Sequence, residues 1–198
     1  MTGKAALPIA TLAAVWLAML LLGTGTVDRD ILLALYAGSR PGLVSIALGF
    51  TALGSWAAVV LISVTAASWL AYQRRANAAL LLLAGTIVAR ILVVIQKYEF
   101  DRLRPNEHMW LVHVSSKSFP SGHSANSMLV YPLCALLLAP PRWRRVVLAA
   151  AIVLALCIGV SRVVLGVHWP SDVVGGWSFG ALSALLIMRV HARSSPAK

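Results

Sequence analysis

The chain is predicted to be an all-α membrane protein, a polytopic bundle of six transmembrane helices with both termini on the cytoplasmic side. Three observations predict it. Of 198 residues, 60% are hydrophobic and only 12% charged, against roughly 45–50% apolar residues in ordinary soluble domains. The apolar residues fall in long runs, over residues 7–22, 43–72, 76–95, 125–139, 146–165 and 173–190, and a helix needs about 20 such residues to cross a bilayer. The charges lie almost entirely between these runs. Six spans and their connections use the whole length, so residues 1–198 are expected to form one integral membrane domain.

Each element has its own signal. The first run follows Lys4 without a clear small-x-small cleavage site, so it is expected to be retained as a span rather than removed as a signal peptide. Residues 27–38 mix Asp28, Arg29 and Asp30 with Ile31, Leu32, Leu33, Leu35 and Tyr36. That pattern fits a short amphipathic helix in the outer interface, or an ordered loop packed on the bundle. The run at 43–72 reads as one span, the run at 76–95 carries Arg90 inside it, and the run at 125–139 is short unless it begins near Ser121. Pro140 and Pro141, followed by Arg142, Trp143, Arg144 and Arg145, predict a tight cytoplasmic turn with an interfacial aromatic anchor. Cys134 and Cys157 both lie in apolar runs; they are too few for a disulfide framework or a zinc site and are expected to pack as small hydrophobes.

The formal charge of +11, from 17 Lys and Arg against 6 Asp and Glu, would suggest nucleic acid in a soluble protein. On a six-span path it divides between two faces instead. Lys4, Arg74, Arg75, Arg142, Arg144, Arg145, Arg189, Arg193 and Lys198 fall on one side, which the positive-inside rule makes cytoplasmic. All six acids, Asp28, Asp30, Glu99, Asp101, Glu107 and Asp172, fall on the other, with Arg29, Arg40, Lys97, Arg102, Arg104, Lys117 and Arg162. No nucleic-acid partner is expected. Chemistry built on the second set would face the periplasm or cell exterior from an inner (plasma) membrane.

Three clusters on that outer side stand apart from the membrane background. They are Lys97, six residues, then Arg104 and Pro105; Pro120, Ser121, Gly122 and His123; and Ser161, Arg162, five residues, His168, three residues, Asp172. Arg suits bidentate contact with phosphate oxygens and Lys acts as a point charge, so Lys97, Arg104 and Arg162 together suffice to neutralise a dianionic phosphate. Singly, each also fits snorkelling or lipid-headgroup contact. Ser121 can cap a helix whose first N–H groups form an anion site, and Gly122 leaves room for a ligand to approach the backbone. His123, titrating ordinarily near about pH 6.5, is a natural general acid. His168 and Asp172 are four apart around the start of the last run, and Pro170 between them suits a first helical turn. A carboxylate bonded to one ring nitrogen fixes the tautomer and frees the other to attack phosphorus.

These clusters resemble the signature of the type 2 phosphatidic acid phosphatase family, K-x6-RP, PSGH and SR-x5-H-x3-D, with all eleven fixed residues present in order. The family is the membrane branch of a superfamily that includes vanadium haloperoxidases. The resemblance implies hydrolysis of a lipid phosphate monoester or diphosphate, of undecaprenyl diphosphate, phosphatidylglycerophosphate or phosphatidate type, at the outer membrane face. It implies His168 as nucleophile forming a phosphohistidine, Asp172 orienting it, and His123 protonating the leaving group. It implies Lys97, Arg104, Ser121, Gly122 and Arg162 as phosphate-binding residues. No metal or cofactor is required. A lipid A phosphatase or a lipid-to-lipid phosphotransferase would use the same residues, whereas a non-enzymatic lipid-binding bundle would be expected to lack some of them. His108 and His113, between the first two clusters, have no partnering acid or Cys cluster and are read as loop or headgroup contacts. The signature leaves Arg90 unexplained. Seven residues before Lys97, it lies about two turns deeper on a similar face, as a structural arginine, a support for the site floor or a contact for a second phosphate.

Overall fold

A computed structural model describes residues 6–194. They form eight α-helices, α1 (Ala6–Leu22), α2 (Thr26–Leu35), α3 (Pro41–Leu53), α4 (Trp56–Tyr72), α5 (Ala76–Phe100), α6 (Gly122–Leu138), α7 (Arg144–Val164) and α8 (Pro170–Ser194). One 3-10 turn, Glu107–Met109, interrupts the long 101–121 connection, and no strand occurs among the described residues. Lys4 and Lys198 lie outside the described residues.

The all-helical expectation is met, with two differences in how the apolar runs fold. The 43–72 run is not one helix: α3 and α4 meet at a 46° bend, because Ser55 takes the cap position and its hydroxyl accepts from the Ala58 N–H at 3.2 Å. Such a cap satisfies one of the N–H groups a new helix leaves open. The run at 76–95 extends to Phe100, so Lys97 lies in the last turn of α5, which ends where Asp101 turns left-handed at φ 46°. Residues 27–38 do contain a helix. α2 leaves α1 at 94°, burying Asp28 and Leu32 against α7 and α8. By length and apolarity α5, α7 and α8 can each cross a membrane, and the two bent pairs raise the candidates to five; α6 is shorter, at 17 residues.

The bundle is apolar outside and polar within. Leu61, Leu80, Ile87, Ile91 and Val153 are exposed, while Lys97, Asn126, Ser127, Arg162, His168 and Asp172 are buried. An exposed apolar surface of this extent belongs in contact with lipid. Because lipid tails are as apolar as Leu, helices in a membrane associate through close packing more than through the hydrophobic effect. The packing centres on α6, which α4, α5, α7 and α8 surround. Gly176 and Gly180, one turn apart on α8, make the closest approach. A Cβ at 176 would lie 2.6 Å from the Ser121 carbonyl, and one at 180 would overlap the Ala125 carbonyl. This backbone contact brings Ser121 N–H to the Asp172 carbonyl at 2.9 Å, tying the second motif to the third. Both cysteines are free and half-buried, and Cys134 packs on the main apolar cluster.

The bundle ends differ in charge. One gathers Arg74, Arg75 and His191, and Arg75 donates to the Leu137 carbonyl at the end of α6 at 2.7 Å. The other holds α2, the 101–121 connection and the first turn of α8.

Candidate active site

The first turn of α8 organises the site. Asp28 reaches across from α2 and accepts from the Ser171 N–H at 2.8 Å and from the Ser171 hydroxyl, supplying the side-chain cap that Pro170 and Ser171 lack locally. Next to it, Asp172 is fully buried. Its Oδ1 accepts from Arg102 at 3.0 Å; its Oδ2 accepts from the Trp169 N–H at 2.9 Å and from the Ser118 hydroxyl, and lies 3.3 Å from His168 Nδ1.

His168 sits in the turn between α7 and α8, 2% exposed. With Nδ1 facing the Asp172 carboxylate, Nε2 is the nitrogen left for chemistry, and Arg104 Nη1 approaches it at 3.1 Å. Burial, then the charges of Arg104, Lys97 and Arg162, hold the imidazole well below its ordinary pKa, since a desolvated ring among cations resists a further positive charge. Both causes favour the neutral form of the ring.

The cations come from three elements. Arg104, in the loop after α5, is fixed by its own connection: Nε donates to the Ser116 carbonyl at 2.6 Å, and Nη1 donates to the Val167 carbonyl. Burial pulls it down to about 10, against the opposing pull of Asp172, so it stays charged at neutral pH. Lys97 turns its ammonium to the carbonyls of Lys117 and Ser118, the latter at 3.2 Å. Arg162, in the last turn of α7, donates to the Thr51 hydroxyl of α3, while its buried Nε has no partner.

α6 begins at the same place. Ser121 is its N-cap, accepting from the Ser124 N–H at 3.5 Å. Gly122 faces Arg90, whose Nη1 would lie 3.3 Å from any added Cβ. His123 follows in the first turn and packs on Gly54 at the α3–α4 bend, where a Cβ would come within 3.0 Å of the ring.

Six of the eight expected site residues, Lys97, Arg104, Gly122, His123, Arg162 and His168, line one cavity of about 150 Å³, together with Arg90 and residues 114–116. Asp172 stands behind His168. Ser121 is fully buried as a helix cap and is not among the lining residues. No Asp or Glu lines the cavity, so its field favours a multiply charged anion. A larger cavity of about 1030 Å³ adjoins it, lined by residues 102–107 and 110–117, including Arg104 and His113. Among the described residues, no group of three His, Cys, Asp or Glu is placed to hold a metal ion.

Three contributors were not singled out in the sequence as site residues: Arg102, Ser118 and Asp28. Arg102 bridges four acceptors, Asp172, Ser171 and the α1 carbonyls of Met19 and Leu20, and stacks over Phe119 with its Cζ 4.4 Å from the ring centre. Two residues before Arg104, it carries no local mark that separates it from the other outer cations.

The chain is similar to known proteins in sequence and in fold. Residues 78–196 match the family model of the PAP2 superfamily. The chain is 36% identical over 153 residues to phosphatidylglycerophosphatase B of Bacillus subtilis (strain 168), a match covering 75% of each chain. It is 30% identical over 128 residues to the undecaprenyl-diphosphatase of Sulfolobus acidocaldarius, covering 62% of this chain and 60% of that one. In three dimensions it is similar to the crystal structure of the first transmembrane PAP2 type phosphatidylglycerolphosphate phosphatase from Bacillus subtilis. The TM-score is 0.89 at 30% identity, over 96% of this chain and 99% of that one.

Proposed function

The chain belongs to the PAP2 superfamily, and from that premise we propose that it is an integral membrane lipid phosphatase that hydrolyses a phosphate monoester or diphosphate through a phosphohistidine. The observation that carries the reading is the buried His168, facing Asp172 with one nitrogen and presenting the other to a cavity lined by cations and by no acid.

The steps follow from that geometry. Lys97, Arg104 and Arg162, with the N–H groups at the start of α6, hold the phosphoryl oxygens and offset charge that builds in the transition state. His168 Nε2 attacks phosphorus as the bond to the leaving oxygen breaks, and His123, which takes up a proton when the anionic phosphate binds among the cations, supplies that oxygen's proton. The phosphoryl group is then on Nε2, and the imidazolium is balanced by Asp172. His123, now a base, takes a proton from a water that attacks the phosphohistidine; inorganic phosphate leaves and both imidazoles return to their starting forms. No metal takes part in this scheme.

The membrane arrangement proposed with it has six spans: α1, the bent pair α3–α4, α5, α6, α7 and α8. Both termini are then cytoplasmic with the Arg74, Arg75 and His191 end, and the site opens on the outer face of the plasma (inner) membrane. The names of the relatives make glycerophospholipid phosphates and undecaprenyl diphosphate the first substrates to try. The test is phosphate release by purified protein from a panel of lipid phosphates in the presence of a chelator. The reading expects release by wild type and loss in His168→Ala; equal release by both proteins would overturn the mechanism.

A further inference from the structure

Arg90 is the one cavity cation outside the three motifs. It lies in α5 seven residues before Lys97, about 10 Å deeper along the helix axis, yet it lines the same cavity as His168 and His123. Arg102 spends its N–H groups on protein acceptors, and Arg104 is anchored beside His168 by the Ser116 and Val167 carbonyls. Among the described residues, Arg90 makes no ion pair with any carboxylate, and its guanidinium lies over the Trp56 ring, with Cζ 5.3 Å from the ring centre. A charged group inside a span is costly and usually serves a functional path. Here the guanidinium is held from behind by an aromatic face while its hydrogen-bonding edge is left to the cavity.

Depth decides what meets that edge. In the outer-face arrangement proposed above, a lipid tail would run from the reacting phosphorus toward the membrane interior, the direction in which Arg90 is displaced from Lys97. Past Trp56 on that side lies a cavity of about 240 Å³ between α4 and α5, lined mainly by apolar residues, Val60, Val64, Leu83 and Ile87, with Ser63 and Thr86. The next group after the reacting phosphoryl, counted toward the tail, therefore faces Arg90. In a monoester that group is an uncharged alkoxy carbon; in a diphosphate it is a second phosphate.

We propose that Arg90 is a specificity-determining subsite for the bridging phosphate of a lipid diphosphate. This assignment rests on the phosphatase reading above. When the terminal phosphorus–oxygen bond breaks, the phosphoryl group passes to His168 Nε2 and the electron pair stays on the bridging oxygen of a departing lipid monophosphate. Arg90 is placed to offset the charge that gathers there, a contact a monoester has no means of using.

The test compares initial rates on farnesyl diphosphate and farnesyl monophosphate, two probes with one tail, for wild type, Arg90→Gln and Arg90→Lys in detergent. The expected result is that Arg90→Gln lowers kcat/KM for the diphosphate about tenfold or more beyond its loss on the monophosphate, the scale of a lost charge-assisted contact. Arg90→Lys recovers part of that selective loss and carries the comparison should the Gln protein not fold. Equal losses on both probes would make Arg90 a structural arginine or a shared phosphate ligand and overturn the assignment. A wild type active on the monophosphate alone overturns the assignment and leaves the phosphatase reading standing; a wild type inactive on these probes and on the whole lipid phosphate panel overturns both.

Discussion

Replacing Arg102 by Ala tests whether Asp172 is held in place from behind. Its guanidinium donates to Asp172 Oδ1 at 3.0 Å, Ser171 Oγ at 3.0 Å, Met19 O at 2.8 Å and Leu20 O at 2.7 Å, and the two paired side chains are 9% and 0% exposed. Breaking a buried pair by removing one partner costs about 3–5 kcal/mol, because the other charge stays buried without compensation. The two carbonyls belong to the last turn of α1, where no intrahelical donor remains for them, so α1 also loses its anchor to the site. For a chain of this length such a loss lowers the unfolding temperature by about 6 °C or more. Activity should fall further than stability explains, since a carboxylate displaced by about 1 Å misaims the imidazole and costs about a hundredfold. Arg102→Lys, which keeps a charge but cannot span four acceptors, should fall between. Thermal unfolding in detergent and kcat on one lipid phosphate measure both effects. An Arg102→Ala protein with wild-type unfolding temperature and wild-type kcat would refute the reasoning.

Three other substitutions probe separate links. Gly176→Ala places a Cβ 2.6 Å from the Ser121 carbonyl, so it should lower stability by about 1–3 kcal/mol and reduce activity by moving the start of α6; wild-type behaviour in both assays would contradict the close α6–α8 contact. Gly54→Ala overlaps the Ile158 side chain and lies 3.0 Å from the His123 ring, so it should lower both stability and kcat; a wild-type kcat in a protein of lowered stability would contradict the contact between this bend and His123. Arg104→Gln removes the charge that, after burial, most depresses the His168 pKa. The pKa should rise, more imidazolium should form at pH 5.5, and the ratio of residual activity at pH 5.5 to that at pH 7.5 should drop below the wild-type ratio. Parallel pH profiles would refute that electrostatic account.

What the sequence made legible was local. Within each motif the spacing is short enough that helix or turn geometry fixes the relative positions, and six of the expected residues do line one cavity. Arg102, Ser118 and Asp28 were hidden because their partners are remote: Arg102 lies 70 positions from Asp172, Ser118 54 positions from it, and Asp28 143 from Ser171. No short pattern records such a pairing. The α3–α4 bend was hidden for another reason. Gly54 and Ser55 are tolerated inside a membrane helix and leave the apolar run unbroken, so the cap shows only when the Ser55 hydroxyl is seen to turn to Ala58. Lys97 gives a subtler contrast. The resemblance implies a phosphate ligand there, yet its ammonium rests on the Lys117 and Ser118 carbonyls, so it orders the 101–121 connection as well as lining the cavity.

The central claim is that phosphate leaves the lipid by passing through His168. Rapid quenching of the purified protein with a terminally 32P-labelled lipid phosphate, followed by alkaline denaturation and counting of protein-bound label, tests it directly. The account predicts an acid-labile, alkali-stable label within the first turnover in wild type and none in His168→Ala. Free labelled phosphate appearing at the wild-type rate with no protein-bound label, or a label that persists in His168→Ala, would contradict it.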